Sequence, residues 1–475
     1  MKTAKIFIGV LLLLIWYFTN ETGNAQHIEC GEKSISQMPD CGQADTRRVD
    51  EFLREFKKFT FHIFSPEKRT RELDNRIHNA RLNLAEKIEV FKRLAPPVDR
   101  TGHRDELRME RLLLSVTPED LPLFKFILEY DGDYKDMVEY VFSDIDDKEC
   151  QNRIIRHFRT VKQPAGIKVL TDIDDTMYAN LIDDRYPGKT LYPGVLEFYD
   201  SLKHEPFALQ IIPVTILSAR PNPIAGILEE VRLKRLAKFK DSTGRELRPS
   251  ALSGNLGSSV IGTAETLLRE KLDSLHDKIP HGQEDKIGRV KFENFEKFSK
   301  VYPEYRYVFV GDSGQADALT AQMMITHGSA ENASRVVTTF IHDIRESDVD
   351  TKSVSPAFKR LRPDVVVGKT SATGRGVIVF RNYIDAAVSA YLHSETLKDL
   401  ITAEELARIT LSALNEFLSI DFQGKDAAGK RLREQHRQDA EESYKLLTTR
   451  SSALPTGTLK ELKEIRSILD EKFLQ

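Results

Sequence analysis

The stretch Ile167 to Tyr178, Ile-Lys-Val-Leu-Thr-Asp-Ile-Asp-Asp-Thr-Met-Tyr, constrains the fold more than any other part of the chain. A short apolar run that ends at once in Asp172, Asp174, Asp175 and Thr176 predicts a buried parallel strand delivering carboxylates at its C-terminal end. Open α/β sheets keep their chemistry at that end. Three carboxylates so close together repel one another and raise each other's pKa, so the grouping makes chemical sense around a hard cation. Magnesium is the expected ion; the plain alternative is an acidic loop after a strand. Asp144-Ile145-Asp146-Asp147 repeats the letters, but Lys148 replaces the Thr and the preceding stretch looks helical. That copy reads as a solvated surface run.

From Gly166 to about Leu392 apolar strands alternate with helices. Met177 to Leu191 reads as a loop rich in charge and turn residues, and Tyr192-Pro193-Gly194 opens a helix through Leu202. The second strand is predicted at Val214 to Leu217, ending in Ser218-Ala219-Arg220-Pro221. Thr215 and Ser218 have opposite parity, so only one of them faces any site at the strand tip. Pro221 to Gly288 reads as an elaborated crossover, rich in Gly and Ser from Ser250 to Ser259, able to form a small cap. A helix is expected from Lys291 to Val301, then a buried strand at Tyr307 to Val310 that ends in Gly311-Asp312-Ser313-Gly314-Gln315-Ala316-Asp317. Glycines at such a tip allow close approach of the backbone. Val336 to Ile341, Val365 to Val367 and Val377 to Phe380 are further strands, with a helix from Asn382 to Leu392. His342 reads as a hydrogen-bonded structural residue.

The flanks are helical. Between Thr46 and Arg159 apolar stripes at helical spacing, Phe52, Phe56, Phe59 and Ile63, then Leu84, Ile88, Phe91 and Ala95, mark amphipathic helices. Thr402 to Gln475 is helical and charged. With 475 residues the chain exceeds one ordinary domain. Lys2 and Lys5 ahead of the apolar run Ile6 to Phe18, and small residues up to Ala25, have the order of a secretory signal peptide. The run is shorter than the ~20 residues that span a bilayer, which makes an uncleaved anchor the lesser reading. Residues 1–25 are thus expected to be a signal peptide and 26–45 an N-terminal extension, with export to a periplasm or the extracellular space. There Cys30 and Cys41 could close a small loop, leaving Cys150 alone. A formal charge of -3 excludes any global attraction to nucleic acid.

Asp172-x-Asp174-x-Thr176 after a strand resembles the first motif of the haloacid dehalogenase superfamily. Together with Gly-Asp312-Ser-Gly-Gln-x-Asp317, Ser-Ala-Arg-Pro, and Lys291-Phe-Glu-Asn, it is most similar to the phosphatidate phosphatase catalytic-domain family named for the fungal actin-patch protein. The resemblance covers about Gly166 to Leu392. It implies an α/β fold, a doubly wound parallel-sheet catalytic domain over residues 161–395, with helical regions at 46–160 and 396–475. It also implies a magnesium-dependent phosphatase acting on a phosphomonoester, with phosphatidate, hydrolysed to diacylglycerol, as the family's named substrate. A lipid substrate would entail contact with a membrane surface. By position, Asp172 is the nucleophile and Asp174 the acid/base. Ser218 bonds a phosphate oxygen, and Lys291, with Lys286 the nearby alternative, neutralises the phosphoryl group. Asp312 and Asp317 join Asp172 and Asp174 around Mg²⁺, while Thr176 and Arg220 contact substrate. The loop after the first motif implies a flap in which Asn180, Asp183, Asp184 and Arg185 face the substrate. The export signal departs from the family's intracellular setting, and fold and motifs do not fix what enters the pocket. A different class, an inactive metal-binding scaffold or interaction protein on the same fold, is the alternative.

Overall fold

The computed structural model describes residues 43–58, 65–95, 102–130, 137–162, 166–180, 182–202, 211–221, 233–254, 284–314, 316–326, 335–344, 376–397, 400–422, 426–450 and 454–473. Side chains are described throughout these ranges except at 218–221, 251, 253–254, 284–285, 393–397 and 450. The signal-like N-terminus, Cys30 and Cys41, and the expected strand at Val365 to Val367 lie outside the described residues. No helix among the described residues is long and apolar enough to cross a membrane.

Six strands form one sheet: β1 (Gly166–Thr171), β2 (Ile211–Pro221), β3 (Glu246–Gly254), β4 (Tyr305–Asp312), β5 (Val336–His342) and β6 (Val377–Phe380). All pairings are parallel, in the order β3-β2-β1-β4-β5-β6. The chain leaves β1 toward β2 on one side and returns beside it as β4 on the other. The tips of β1 and β4 therefore flank the crevice where such sheets bind ligands. The Asp172 N–H donates to the Val310 carbonyl at 3.0 Å, which extends the ladder to the first carboxylate.

Side-chain alternation divides the sheet into two buried faces. Ile167, Val169, Val214, Val310 and Phe340 join a core with helices α7 (Val195–Leu202) and α10 (Tyr383–Leu397). The same core continues through Leu406 and Ile409 of α11 (Ala403–Leu418), Leu447 of α12 (Asp426–Arg450) and Ile465 of α13 (Thr456–Lys472). The C-terminal helices thus complete the cover of one sheet face.

The other face packs on α8 (Glu284–Val301) and α9 (Asp317–Thr326). The N-terminal helices are α1 (Thr46–Lys58), α2 (Pro66–Ala80), α3 (Leu84–Leu94), α4 (His103–Leu114), α5 (Leu121–Tyr130) and α6 (Lys148–Phe158). They meet this side through α5 against β3 and α6 against α8. Buried polar groups tie the junction. Lys125 and Glu304, both with 0% side-chain exposure, pair at 2.6 Å. Glu129 accepts from Ser250 Oγ at 2.5 Å and from the Tyr302 hydroxyl at 2.6 Å. The Lys168 ammonium lies 4.5 to 4.9 Å from the ring centroids of Tyr302, Tyr305 and Tyr130. Such groups are tolerated in an interior because each has a specific partner.

Three expectations are corrected. The stretch Glu246–Gly254 is an edge strand and not crossover loop; Pro249 hides it, and Pro is admitted at a sheet edge. Helix α8 begins at Glu284, so Lys291 sits two turns inside it rather than at its start. Gly288 hides that helix, and its role is contact: a Cβ there would lie 2.9 Å from Leu319 Cδ2 and 3.3 Å from the Ala316 carbonyl. The second acidic run is no solvated surface either. Asp144 is buried, and the Asp147 carboxylate caps α6 by accepting from Glu149 N at 2.8 Å and Cys150 N at 3.2 Å.

Candidate active site

Asp172 directly follows β1 and Asp312 ends β4, so the two carboxylates emerge side by side at the sheet's C-terminal edge. Five residues on, α9 starts with Asp317. Gly311 permits this turn: a Cβ there would lie 2.5 Å from Asp317 Cβ and 2.7 Å from its Oδ2. With that space open, the Asp312 N–H donates to Asp317 Oδ2 at 3.2 Å. Asp172, Asp312 and Asp317 each offer an oxygen within 4.8 Å of the others. Asp312 and Asp317 are fully buried, whereas the Asp172 side chain is 14% exposed.

Lys291 reaches this cluster because Gly288, one turn earlier on the same helix face, lets α8 approach Ala316. Its ammonium donates to Asp172 Oδ1 at 2.8 Å and to Asp317 Oδ1 at 2.5 Å. Lys286 is exposed. Burial opposes the charge on Lys291, yet Asp172 and Asp317 outweigh it and hold the ammonium above its ordinary range. Burial together with the neighbouring carboxylates raises Asp312 well above the carboxylate range. Asp317 is pushed up to about 6 by burial and Asp172, against the pull of Lys291.

Three carboxylates against one ammonium suit a divalent cation. Asp312 Oδ1 accepts the Gly314 N–H at 2.7 Å, but its Oδ2 is buried with no hydrogen-bond partner. All the donors are hard oxygens, the set that Mg²⁺ takes. The residues present therefore fit such an ion.

Asp174 is buried but is not one of the mutually close carboxylates; its Oδ1 accepts from Asn180 Nδ2 at 2.7 Å. Asp175 is not one of them either. Its carboxylate accepts backbone N–H groups from Asn180 at 2.9 Å, Ile182 at 2.8 Å and Asp183 at 3.3 Å. Burial raises its pKa against those three bonds. Asp side chains fold short loops in this way, a signal the motif reading passed over.

The loop residues expected to face substrate divide. Asp183 and Arg185 form a buried bidentate pair at 2.8 and 2.9 Å, and the Tyr192 hydroxyl donates to Asp183 Oδ2 at 2.7 Å. Burial and the Arg185 charge compete at Asp183, and the charge prevails, lowering its pKa. Asn180 and Asp184 are exposed. Thr176 is packed inside: its hydroxyl is buried with no partner, and its carbonyl accepts from the Tyr383 hydroxyl at 2.7 Å. Ser218 and Arg220 belong to β2 by backbone, and their side chains lie outside the described residues. Thr215 is buried at 3.2 Å from the Tyr130 hydroxyl and 3.1 Å from Ser250 Oγ, in the polar network beneath α5.

His342 is a structural residue, with Nδ1 at 3.1 Å from the Asp175 carbonyl and Nε2 at 3.2 Å from that of Arg381.

No family model matches the chain, and no curated protein does. Among solved structures, the crystal structure of HydG, a maturase of the FeFe-hydrogenase, aligns with 91% of this chain and 99% of its own at 11% identity. Its TM-score is 0.21, too low to bear on fold or chemistry.

Proposed function

We propose that this protein is a magnesium-dependent phosphatase that hydrolyses a phosphomonoester through an aspartyl-phosphate on Asp172. The observation that carries the reading is the placement of Lys291 between Asp172 and Asp317, beside Asp312, at the tips of β1 and β4. The parallel strand order, with its reversal at β1, supports a doubly wound sheet of the haloacid dehalogenase type. The motif strings support the same class.

The chemistry follows from charge. A phosphomonoester carries up to two negative charges and repels a carboxylate nucleophile. Lys291 offsets that repulsion and holds Asp172 Oδ1, leaving Oδ2 to attack phosphorus. Asp172, Asp312 and Asp317 are the residues that would hold Mg²⁺, which supplies further neutralisation of the phosphoryl oxygens when bound. Asp174 gives its proton to the leaving oxygen and then takes one from the water that attacks the phosphorylated Asp172.

The test is release of phosphate, with Mg²⁺ present, from an aryl phosphate, soluble alkyl phosphates and dispersed phosphatidate. The last of these decides the lipid substrate that the resemblance implies. Asp172→Asn is expected to abolish turnover with an unchanged circular dichroism spectrum. Undiminished activity in that variant removes Asp172 from its role.

A further inference from the structure

Buried hydroxyls from three elements hold the backbone that follows β1. Thr171 of β1, Tyr199 of α7 and Tyr383 of α10 are fully buried. Thr171 Oγ1 donates to the Asp172 carbonyl at 2.6 Å and lies 2.7 Å from the Tyr199 hydroxyl. The Tyr383 hydroxyl donates to the Thr176 carbonyl at 2.7 Å and stands 3.4 Å from that of Tyr199. Each hydroxyl carries one hydrogen. Those of Thr171 and Tyr383 are committed to the two carbonyls, so the Tyr199 hydrogen goes to Thr171 Oγ1, the nearer of its two neighbours. The rings have no room to swing aside: Tyr383 packs against Tyr199, Phe198 and Phe380 with centroids 6.0, 5.4 and 5.2 Å away. An interior packed in this way passes a displacement on to its neighbours.

We propose that Thr171 and Tyr383 are positioning residues for Asp172, with Tyr199 acting through Thr171; the proposal rests on the hydrolase reading above. A peptide unit is planar, so a bond to the Asp172 carbonyl fixes the whole unit between Asp172 and Ile173, and with it the backbone rotation of Asp172. Lys291 holds the other end of the same residue, through Oδ1 at 2.8 Å. Backbone and carboxylate are each pinned, and Oδ2 keeps one direction of attack. Tyr383 holds the Thr176 carbonyl, so the segment from Asp172 to Thr176 is tied near both ends to one buried wall. The geometry matters because a misplacement of about 1 Å in a reacting group costs about 100-fold in rate. Through Tyr383, a helix beyond the last strand bears on the site without touching the substrate.

The test uses the full chain with Mg²⁺ and p-nitrophenyl phosphate. Thr171→Val keeps the branched shape and removes the hydroxyl; kcat is expected to fall about 10-fold with KM unchanged. Thr171→Ser, which keeps the hydroxyl, should recover most of that loss. Tyr199→Phe is expected to lower kcat in the parent but, within about 2-fold, to add nothing in Thr171→Val, because it works only through Thr171. Tyr383→Phe is expected to lower kcat about 3-fold or more, again with KM unchanged. Given an active parent, full turnover in Thr171→Val, or a loss that Thr171→Ser leaves in place, overturns the proposal. Additive losses remove Tyr199 from it, and full turnover in Tyr383→Phe removes Tyr383. An inert parent instead defeats the hydrolase reading. Crystal structures of the parent and Thr171→Val decide the positioning claim without turnover: the peptide after Asp172 is expected to turn and its carboxylate to shift from Lys291. An unmoved Asp172 sinks it.

Discussion

The ammonium of Lys291 stands 2.8 Å from Asp172 Oδ1, a bond that joins helix α8 to the tip of β1 across 119 residues of chain. The strand tip delivers an anion, and the helix delivers a cation against it.

Replacing Lys291 with Met leaves three carboxylates facing one another without that ammonium. Turnover on an aryl phosphate is expected to fall by about 100-fold, since an electrostatic donor of this kind is worth that much in a transition state. Without added metal, the urea midpoint should also drop. Stopped-assay kinetics and equilibrium unfolding provide the check, and a midpoint at or above that of the parent would contradict the charge argument.

Binding of Mg²⁺ should stabilise the folded chain. At one hundred times its dissociation constant the gain is about 2.7 kcal/mol, seen as a rise in the thermal midpoint. In Asp312→Asn this response is expected to vanish, while the metal-free variant melts higher than the metal-free parent because burial no longer works against a carboxylate at this position. Calorimetry with Mg²⁺ and with a chelator separates the two effects.

Gly311→Ala tests the close approach at the β4 tip. The added carbon falls 2.5 Å from Asp317 Cβ, so the turn must move. A loss of about 1–3 kcal/mol is expected, with reduced turnover as Asp317 shifts from Lys291. Urea unfolding that matches the parent's would show that the turn yields freely.

The buried pair Lys125–Glu304 offers a double-mutant cycle across the junction between the N-terminal helices and the sheet. Lys125→Met strands a buried carboxylate and should cost about 3–5 kcal/mol, whereas adding Glu304→Gln should recover much of it. Additive losses in the two variants would mean that the groups do not act as a pair.

Glu416 gives a pH signature away from the site. Burial and the nearby Glu197 carboxylate push it from an ordinary 4.5 up to about 7, although Gly194 N and Ser412 Oγ donate to it at 2.8 Å each. A raised folded-state value means that the folded form holds the proton more tightly. Its contribution is present below pH 4.5 and is lost as pH rises through about 7. In Glu416→Gln, which imitates the protonated group, the thermal midpoint should fall less between pH 5 and pH 8 than it does in the parent.

How much of this was legible in the chain depended on the range of the signal. Apolar runs at Ile167, Val214, Tyr307 and Val336 each stand within an interior strand, and that at Val377 within the edge strand β6, because burial on both sheet faces writes itself into consecutive residues. Strand β3 escaped because an edge strand admits Pro249, and the first turns of α8 escaped because Gly288 reads as a break where it serves contact.

The sequence by itself determined the parallel α/β character and the delivery of Asp172 and Asp312 to strand ends, since both follow from local apolar pattern and position along the strand. Tertiary structure alone decided that Lys291, already preferred over Lys286, bonds both Asp172 and Asp317, that the Asp175 carboxylate closes its own loop, and that Asp183 and Arg185 pair beneath the surface. The reason is physical: a charged side chain takes its role from whichever partner lies within a few ångströms, and that partner is chosen by packing between segments whose own residues carry no mark of the meeting.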